Sequence, residues 1–297
     1  MRILVVGAEG QLGRSLMERA DVYGIAAVGK DRIDMDVADR GSVQSVFKNL
    51  RPECVINASA YTAVDAAETD RQRAFGVNEH GVRHLIECCE PKQIPLVHVS
   101  TDFIFDGRSK TPYLENAIAK PLNVYGMSKL AGEHALSRYK KSLLIRTSWV
   151  FSRYGENFVK TMLNLGSERE MLTVVSDQIG CPTPARALAD AILKMLVMIP
   201  DMLAEERQPW GVYHFCGQPE VSWFQFAEEV FRQAREAEYP LKLKHFSAIK
   251  AADYPAKAKR PAYSVLDCQK IKTTFGIERP DWRHFLNEII TAEKHAL

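Results

Sequence analysis

Arg2-Ile3-Leu4-Val5-Val6-Gly7-Ala8-Glu9-Gly10-Gln11-Leu12-Gly13 decides the fold. Five residues of strand length and strand character run into three glycines spaced Gly-x-x-Gly-x-x-Gly. An amphipathic stretch over 11–20 then begins. A pyrophosphate seated where a strand turns into a helix calls for glycines of this kind, although the spacing differs from the Gly-x-Gly-x-x-Gly of many dehydrogenases. One glycine serves the tight turn, a second lets the phosphate approach the backbone, and a third lets helix and strand pack closely. The helix N-terminus adds free amides and a favourable dipole for negative charge. Gly7, Gly10 and Gly13, with Gln11 and Leu12 between them, are therefore the first candidate cofactor contacts.

Working outward, apolar runs of strand length recur at 25–28, 54–58, 96–100 and 143–147, alternating with helix-length stretches at 40–50, 71–90 and 124–139. Strand-helix alternation predicts a parallel sheet with right-handed crossovers, covered on both faces. The expected class is α/β, a Rossmann-type doubly wound parallel sheet with a smaller C-terminal α/β substrate domain. After Trp149 turn signals become dense, as at Gly180-Cys181-Pro182-Thr183-Pro184. Helices are predicted at 157–165, 185–197, 267–275 and 281–296, with a strand at 212–216. Another helix is expected to start at an Ser222 cap and reach 237. The dinucleotide domain is placed at 1–150, with part of 185–216 returning to it. Residues 151–184 and 217–297 form the expected substrate domain.

Composition narrows the function. The chain has 297 residues, 46% hydrophobic and 26% charged, with a formal net charge of +2. These are the values of an ordinary globular protein. No basic stripe marks a nucleic-acid surface, and the run Lys257, Lys259, Arg260 reads as solvated surface. The chain opens directly on a strand-like run, so no signal peptide is expected. The most apolar later stretch, 187–199, is too short to cross a bilayer and carries Asp190 and Lys194. The six cysteines form no Cys-x-x-Cys pair, and no histidine cluster has metal-ligand spacing. No metal site, no membrane, reduced thiols and a cytoplasmic location are the resulting expectations.

The cofactor edge continues past the second strand. Asp31 could hold the ribose hydroxyls of NADH, while Lys30 and Arg32 could hold the 2′-phosphate of NADPH, and both coenzymes stay open. Asp36 and Val37 stand where an adenine could be framed, with helix capping an equal alternative for Asp36. Ala58, Ser59, Ala60 and Tyr61 follow the third strand, where small residues let a cofactor lie against the backbone.

The chemistry is expected at Tyr125-Gly126-Met127-Ser128-Lys129. Residues four apart share a helix face, so phenol and ammonium point into one space. A lysine cation and a cationic nicotinamide would bring the phenol from ~10 toward ~7 for acid-base work. Thr101, ending the fourth strand, could hold the substrate oxygen at the carboxyl edge of the sheet, where ligands of doubly wound sheets bind.

With Asn57 to Asp65, Val77-Asn78, Ser100-Thr101-Asp102-Phe103-Ile104-Phe105-Asp106-Gly107 and Pro121 to Glu133, the chain resembles the extended short-chain dehydrogenase/reductase group. Arg146 to Phe151, Asn157 to Leu163 and Asp177-Gln178-Ile179-Gly180-Cys181-Pro182-Thr183 lie beyond that group's common core. They make the chain similar to the dTDP-4-dehydrorhamnose reductase family over nearly its whole length. The resemblance implies hydride transfer to a dTDP-linked 4-keto-6-deoxy sugar, giving dTDP-L-rhamnose for cell-surface polysaccharide. In it Tyr125 donates the proton, and Lys129 tunes Tyr125 and holds the nicotinamide ribose. Thr101, Asp102 and Trp149 contact the sugar, and Arg260 the diphosphate. Phe103 replaces a tyrosine of many relatives. Arg14 and Ser15 stand where some relatives place a carboxylate for a magnesium-bridged dimer; a monomer or weak homodimer is expected instead. Rival readings are a reductase of another dTDP-4-keto-6-deoxy sugar and a regulatory subunit resembling the methionine adenosyltransferase β subunit. An epimerase or dehydratase fits less well, because dehydratases usually carry an acidic residue at the position of Phe103.

Overall fold

The structure, a computed structural model, describes residues 1–295. Six parallel strands form its main sheet: β1 (Arg2–Val6), β2 (Ala26–Lys30), β3 (Cys54–Asn57), β4 (Leu96–Thr101), β5 (Ser142–Thr147) and β6 (Gly211–His214). Their spatial order is β6-β5-β4-β3-β1-β2. The chain leaves β1 toward one edge for β2 and returns to the other side for β3. The switch point therefore lies between β1 and β3, with the glycine turn directly above it.

Alternation along the strands divides the core. Ile3 and Val5 of β1 pack with helix α1 (Gln11–Arg19) and helix α5 (Ala185–Ala204) on one face. Leu4 and Val6 face helices α2 (Arg40–Leu50), α3 (Gly81–Cys89) and α4 (Val124–Leu136). Both faces are covered, which is why these strands are continuously apolar. A separate core gathers Phe151, Leu163, Val174, Phe226, Phe231 and Trp282. It is built from helices Phe158–Glu168, Trp223–Glu236 and Leu286–His295 and the parallel strand pair Met171–Val175 and His245–Ile249.

Several boundaries differ from the sequence reading. The single helix predicted over 71–90 is Arg71–Phe75, a widened π turn at Gly76–His80, and then α3. Asn78 sits in that widened turn, where its side chain bonds both backbone groups of Tyr61 and the Ser128 hydroxyl. These long-range bonds offset the poorer helical geometry. The helix predicted over 185–197 runs on to Ala204 and accommodates Pro200. The helix predicted to start at 267 starts at Gln269, because Asp267 turns its carboxylate onto the Gln269 amide. The last one opens as a 3-10 turn, Trp282–Phe285, before continuing at Leu286; its predicted end, Ala296, lies outside the described residues. Ser222 caps its helix in a reciprocal capping box with Gln225. No helix among the described residues is long and apolar enough to cross a membrane.

Candidate active site

Above the carboxyl edge of the sheet, the glycine turn forms a tight cradle. Gly7 has φ +78°, and a Cβ there would lie 2.8 Å from the Ser59 backbone. A Cβ on Gly13 would stand 2.1 Å from the Gly7 carbonyl oxygen. Only glycine fits either place. Gly10 opens α1 without any side-chain cap, so the first-turn amides of Gln11 and Leu12 have no carbonyl before them to bond. This cradle suits a pyrophosphate. Leu12 contributes only its backbone, since its side chain is buried in the core. The Gln11 carboxamide turns away toward the second core, accepting from the Ser152 hydroxyl at 3.0 Å.

The remaining cofactor candidates line the same edge with different degrees of freedom. Asp31 already accepts from the amides of Ile33 and Asp34, at 2.8 and 2.9 Å. Lys30 pairs with Asp34 at 3.2 Å, whereas Arg32 is exposed and makes no side-chain hydrogen bond or ion pair among the described residues. Asp36 accepts from the Ala38 amide at 3.0 Å, but the cap of α2 is Asp39, not Asp36. Val37 is buried, and its carbonyl meets His84 Nδ1 at 2.9 Å. Ala58 bonds back to Val6 at 3.0 Å. Ser59 is held by Asn57 Oδ1 and Tyr61 by Asn78, with Ala60 between them. The small-residue edge is thus pinned from beneath.

Asn123 begins α4 by accepting the Gly126 amide at 2.7 Å, while its own amide nitrogen donates to the Lys259 carbonyl at 2.7 Å. The Glu68 carboxylate accepts from the Val124 amide at 2.8 Å. The Asn123 cap and two distant segments, at Glu68 and Lys259, therefore fix the first turn that carries Tyr125. Tyr125 is 8% exposed and meets Phe103 edge-to-face at 5.6 Å. One turn on, Lys129 is 2% exposed, and its ammonium donates to the Val99 carbonyl at 2.6 Å.

Burial sets the electrostatics of this pair. Burial pushes the Tyr125 phenol up to about 12, with the Thr101 hydroxyl opposing and Asp102 adding to the rise. Lys129 is bonded to the β4 backbone and is not among the groups that shift the phenol here. Burial brings Lys129 itself down to about 8, with Glu133 opposing.

Thr101 donates to Asp102 Oδ1 at 3.1 Å and accepts from the Phe103 amide at 3.2 Å. Asp102 is 1% exposed, and burial pushes its carboxyl up to about 7. The Ser264 hydroxyl is near enough to favour the carboxylate. It makes no full hydrogen bond to Oδ2, which has no partner among the described residues. Trp149, at φ +47°, stacks on Trp223 at 3.4 Å. Arg260 is tied to Asp65 Oδ2 at 2.7 Å, and its Nη1 is buried without a partner among the described residues. Lys257 and Lys259 are exposed, as the sequence reading expects, but the backbone at Ala258 and Lys259 and the Arg260 guanidinium are docked on Asp65 and Asn123.

A family model described as the RmlD substrate binding domain matches residues 1–295. The chain belongs to this family. The dTDP-4-dehydrorhamnose reductase of Aggregatibacter actinomycetemcomitans is 42% identical over 290 residues, covering 97% of this chain and 98% of that protein. The Escherichia coli K12 protein of the same name is 37% identical, covering 98% and 99%. Among solved structures, a dTDP-4-dehydrorhamnose reductase from Clostridium acetobutylicum superposes with a TM-score of 0.88 at 33% identity, over 99% of this chain and 100% of that one. The Bacillus anthracis enzyme, solved in complex with NADP, gives 0.86 at 33% identity over 98% of each chain.

Within this RmlD-family site the structure adds residues that the sequence reading gave no role. Asn123 carried a readable signal, an Asn before a helix. Trp223 follows the Ser222 cap but reaches Trp149 only through the fold. Asp65, Glu68, Asn57, His98 and Ser264 come together from distant segments, and no local spacing announces them.

Proposed function

We propose that this chain transfers hydride from NADPH or NADH to carbon 4 of dTDP-4-dehydro-L-rhamnose, giving dTDP-L-rhamnose for cell-surface polysaccharide. The observation that carries the reading is one juxtaposition. The buried Tyr125 phenol and Thr101 hydroxyl stand together at the carboxyl end of β4, beside a glycine cradle shaped for a dinucleotide pyrophosphate. When bound, the dinucleotide supplies the hydride. Everything else falls to the chain. Gly7, Gly10 and Gly13 with the amides of α1 hold the pyrophosphate, and the edge from Ala58 to Tyr61 supports the cofactor. Asp31 or Arg32 contacts the adenosine ribose, with Asp36 and Val37 beside the adenine.

Thr101 orients the ketone oxygen, and Tyr125 gives its proton to the alkoxide as hydride arrives. An O–H bond forms on the sugar as the one on Tyr125 breaks. Lys129, still largely cationic at neutral pH, steadies the phenolate. Asp102 hydrogen-bonds the sugar, the Trp149 face packs against its apolar side, and Arg260 offers Nη1 to the diphosphate. Residues 1–150, with part of 185–216, hold the cofactor; residues 151–184 and 217–297 grip the nucleotide sugar. The protein works in the cytoplasm as a monomer or weak homodimer.

The test is oxidation of NADPH, and in parallel NADH, with dTDP-4-dehydro-L-rhamnose formed in the reaction mixture and the product identified by NMR. Formation of dTDP-L-rhamnose is the expected outcome. Coenzyme consumption with another 6-deoxy sugar as product would move the assignment to a sister reductase. Bound coenzyme without consumption would overturn it.

A further inference from the structure

His98 lies on β4 under the site, fully buried, and the hydride-transfer chemistry above gives it no task. Its surroundings fix its protons. Asn57 Oδ1 accepts from both the Ser59 amide, at 3.1 Å, and the Ser59 hydroxyl, at 2.6 Å. An amide N–H can only donate, so Oδ1 faces Ser59 and Nδ2 must face His98 Nδ1, 3.1 Å away. Nδ1 is then an acceptor. Burial and the nearby Lys129 both disfavour the imidazolium, so the proton of the neutral ring sits on Nε2. That N–H points at Lys129 Nζ, 3.5 Å away.

A lysine ammonium has only donors and cannot accept this hydrogen bond; a neutral amine can. We propose that His98 is a positioning residue for the reductase site: fixed as the Nε2–H tautomer by Asn57, it presents a donor to Lys129 and thereby favours the neutral amine. The inference rests on the proposed reaction only for its consequence. After Tyr125 has given up its proton, Lys129, one turn further along α4, is a cation able to restore it. The Nζ–H bond breaks, the Tyr125 O–H bond re-forms, and the amine lone pair accepts His98 Nε2–H. His98 keeps its own proton throughout, and solvent later reprotonates Lys129. The chain Ser59–Asn57–His98–Lys129 also ties the cofactor edge of β3 to the helix carrying the phenol.

The other groups facing Lys129 are few. Glu133 lies one turn along α4 and favours the ammonium, but it is itself committed to Arg146 of β5. Tyr125 lies one turn back on the same helix, and the Val99 carbonyl of β4 accepts from Nζ. His98 is thus the neighbour that opposes the charge.

Two measurements test this. Nitrogen-15 NMR of histidine-labelled protein, with and without NADP, should show one imidazole locked as the Nε2–H tautomer and not titrating between pH 5 and 9. Its assignment follows from loss of the signal in His98→Gln. An Nδ1–H tautomer or a titrating ring there would overturn the proposal, whatever the enzyme's substrate. Asn57→Asp places an acceptor against Nδ1, so it should flip the tautomer and offer Lys129 a lone pair. The alkaline limb of kcat should then move up by about one pH unit, with KM for the sugar little changed. His98→Gln, whose carboxamide can turn its oxygen to Nζ, should move the limb the same way. A limb unmoved in both variants would overturn the role of His98 while leaving the reductase reading intact. Absence of turnover in the wild type, with the tautomer as stated, would instead fault the reductase reading.

Discussion

Asp102→Asn separates the cost of a buried charge from the use of that charge. Asp102 is almost wholly inaccessible, and one carboxylate oxygen has no protein partner among the described residues. Its folded-state pKa is raised from 3.8 to about 7, chiefly by burial. A carboxyl raised in the folded state contributes stability that is fully present below about pH 4 and is lost as pH rises through 7. At 1.36 kcal/mol per pH unit, the wild type should lose up to about 4 kcal/mol across that window, and on the order of 2–4 kcal/mol after local relaxation. Asparagine keeps the shape and cannot ionise. Near pH 4 the substitution should therefore be neutral or mildly destabilising, and at pH 8 it should stabilise by a few kcal/mol relative to its effect at pH 4. Urea denaturation of both proteins at pH 4.5, 6 and 8 reads this directly, and the same variant should lose affinity for the nucleotide sugar. An equal stability difference at all three pH values would refute the reasoning, since it would mean that Asp102 ionises in the fold as readily as in the unfolded chain.

Tyr125→Phe should keep dinucleotide binding, measured by quenching of tryptophan fluorescence, while kcat falls by roughly 100- to 10,000-fold; near-normal turnover would remove Tyr125 from proton transfer. Gly13→Ala drives a Cβ to 2.1 Å from the Gly7 carbonyl, so it should cost about 1–3 kcal/mol in denaturation and abolish measurable coenzyme binding. Glu133→Gln removes the carboxylate that accepts three hydrogen bonds from buried Arg146. A loss of about 3–5 kcal/mol is expected, against at most about 1 kcal/mol for Glu87→Gln in the exposed Arg40–Glu87 pair; equal losses would show that burial of the first pair is immaterial.

The parts of this molecule legible in its sequence are those with a local signal. The strand running into three glycines located the tight turn between β1 and α1, because the turn and the close helix packing each demand glycine within a few residues. Tyr125 and Lys129 could be put on one helix face from spacing alone. The electrostatics were not legible. Spacing puts phenol and ammonium on one helix face, but the Val99 carbonyl of β4 accepts from Lys129, and burial then sets both groups. Lys257 and Lys259 are solvated as their sequence suggests, but Arg260 is half-buried, and nothing local shows that Asp65, 195 residues away in sequence, receives its guanidinium. The π turn at Gly76–His80 was hidden for the same reason, since its stabilising bonds run to Tyr61 and Ser128.

The direction of these shifts suits a reductase. A phenol pushed up to about 12 holds its proton throughout the physiological range, so it is ready to donate before hydride arrives. The alkoxide formed at the sugar is a stronger base than a phenolate, and the transfer therefore runs downhill despite the high pKa. An alcohol oxidation at the same site would begin by requiring the phenolate, which burial disfavours. Lys129, near 8, lies within reach of neutral pH in both protonation states, as a group must if it is to be emptied and refilled in each turnover. In the proposed mechanism the site gives a proton first and recovers it afterwards, and the buried histidine beneath Lys129 is placed to act on the second of these steps.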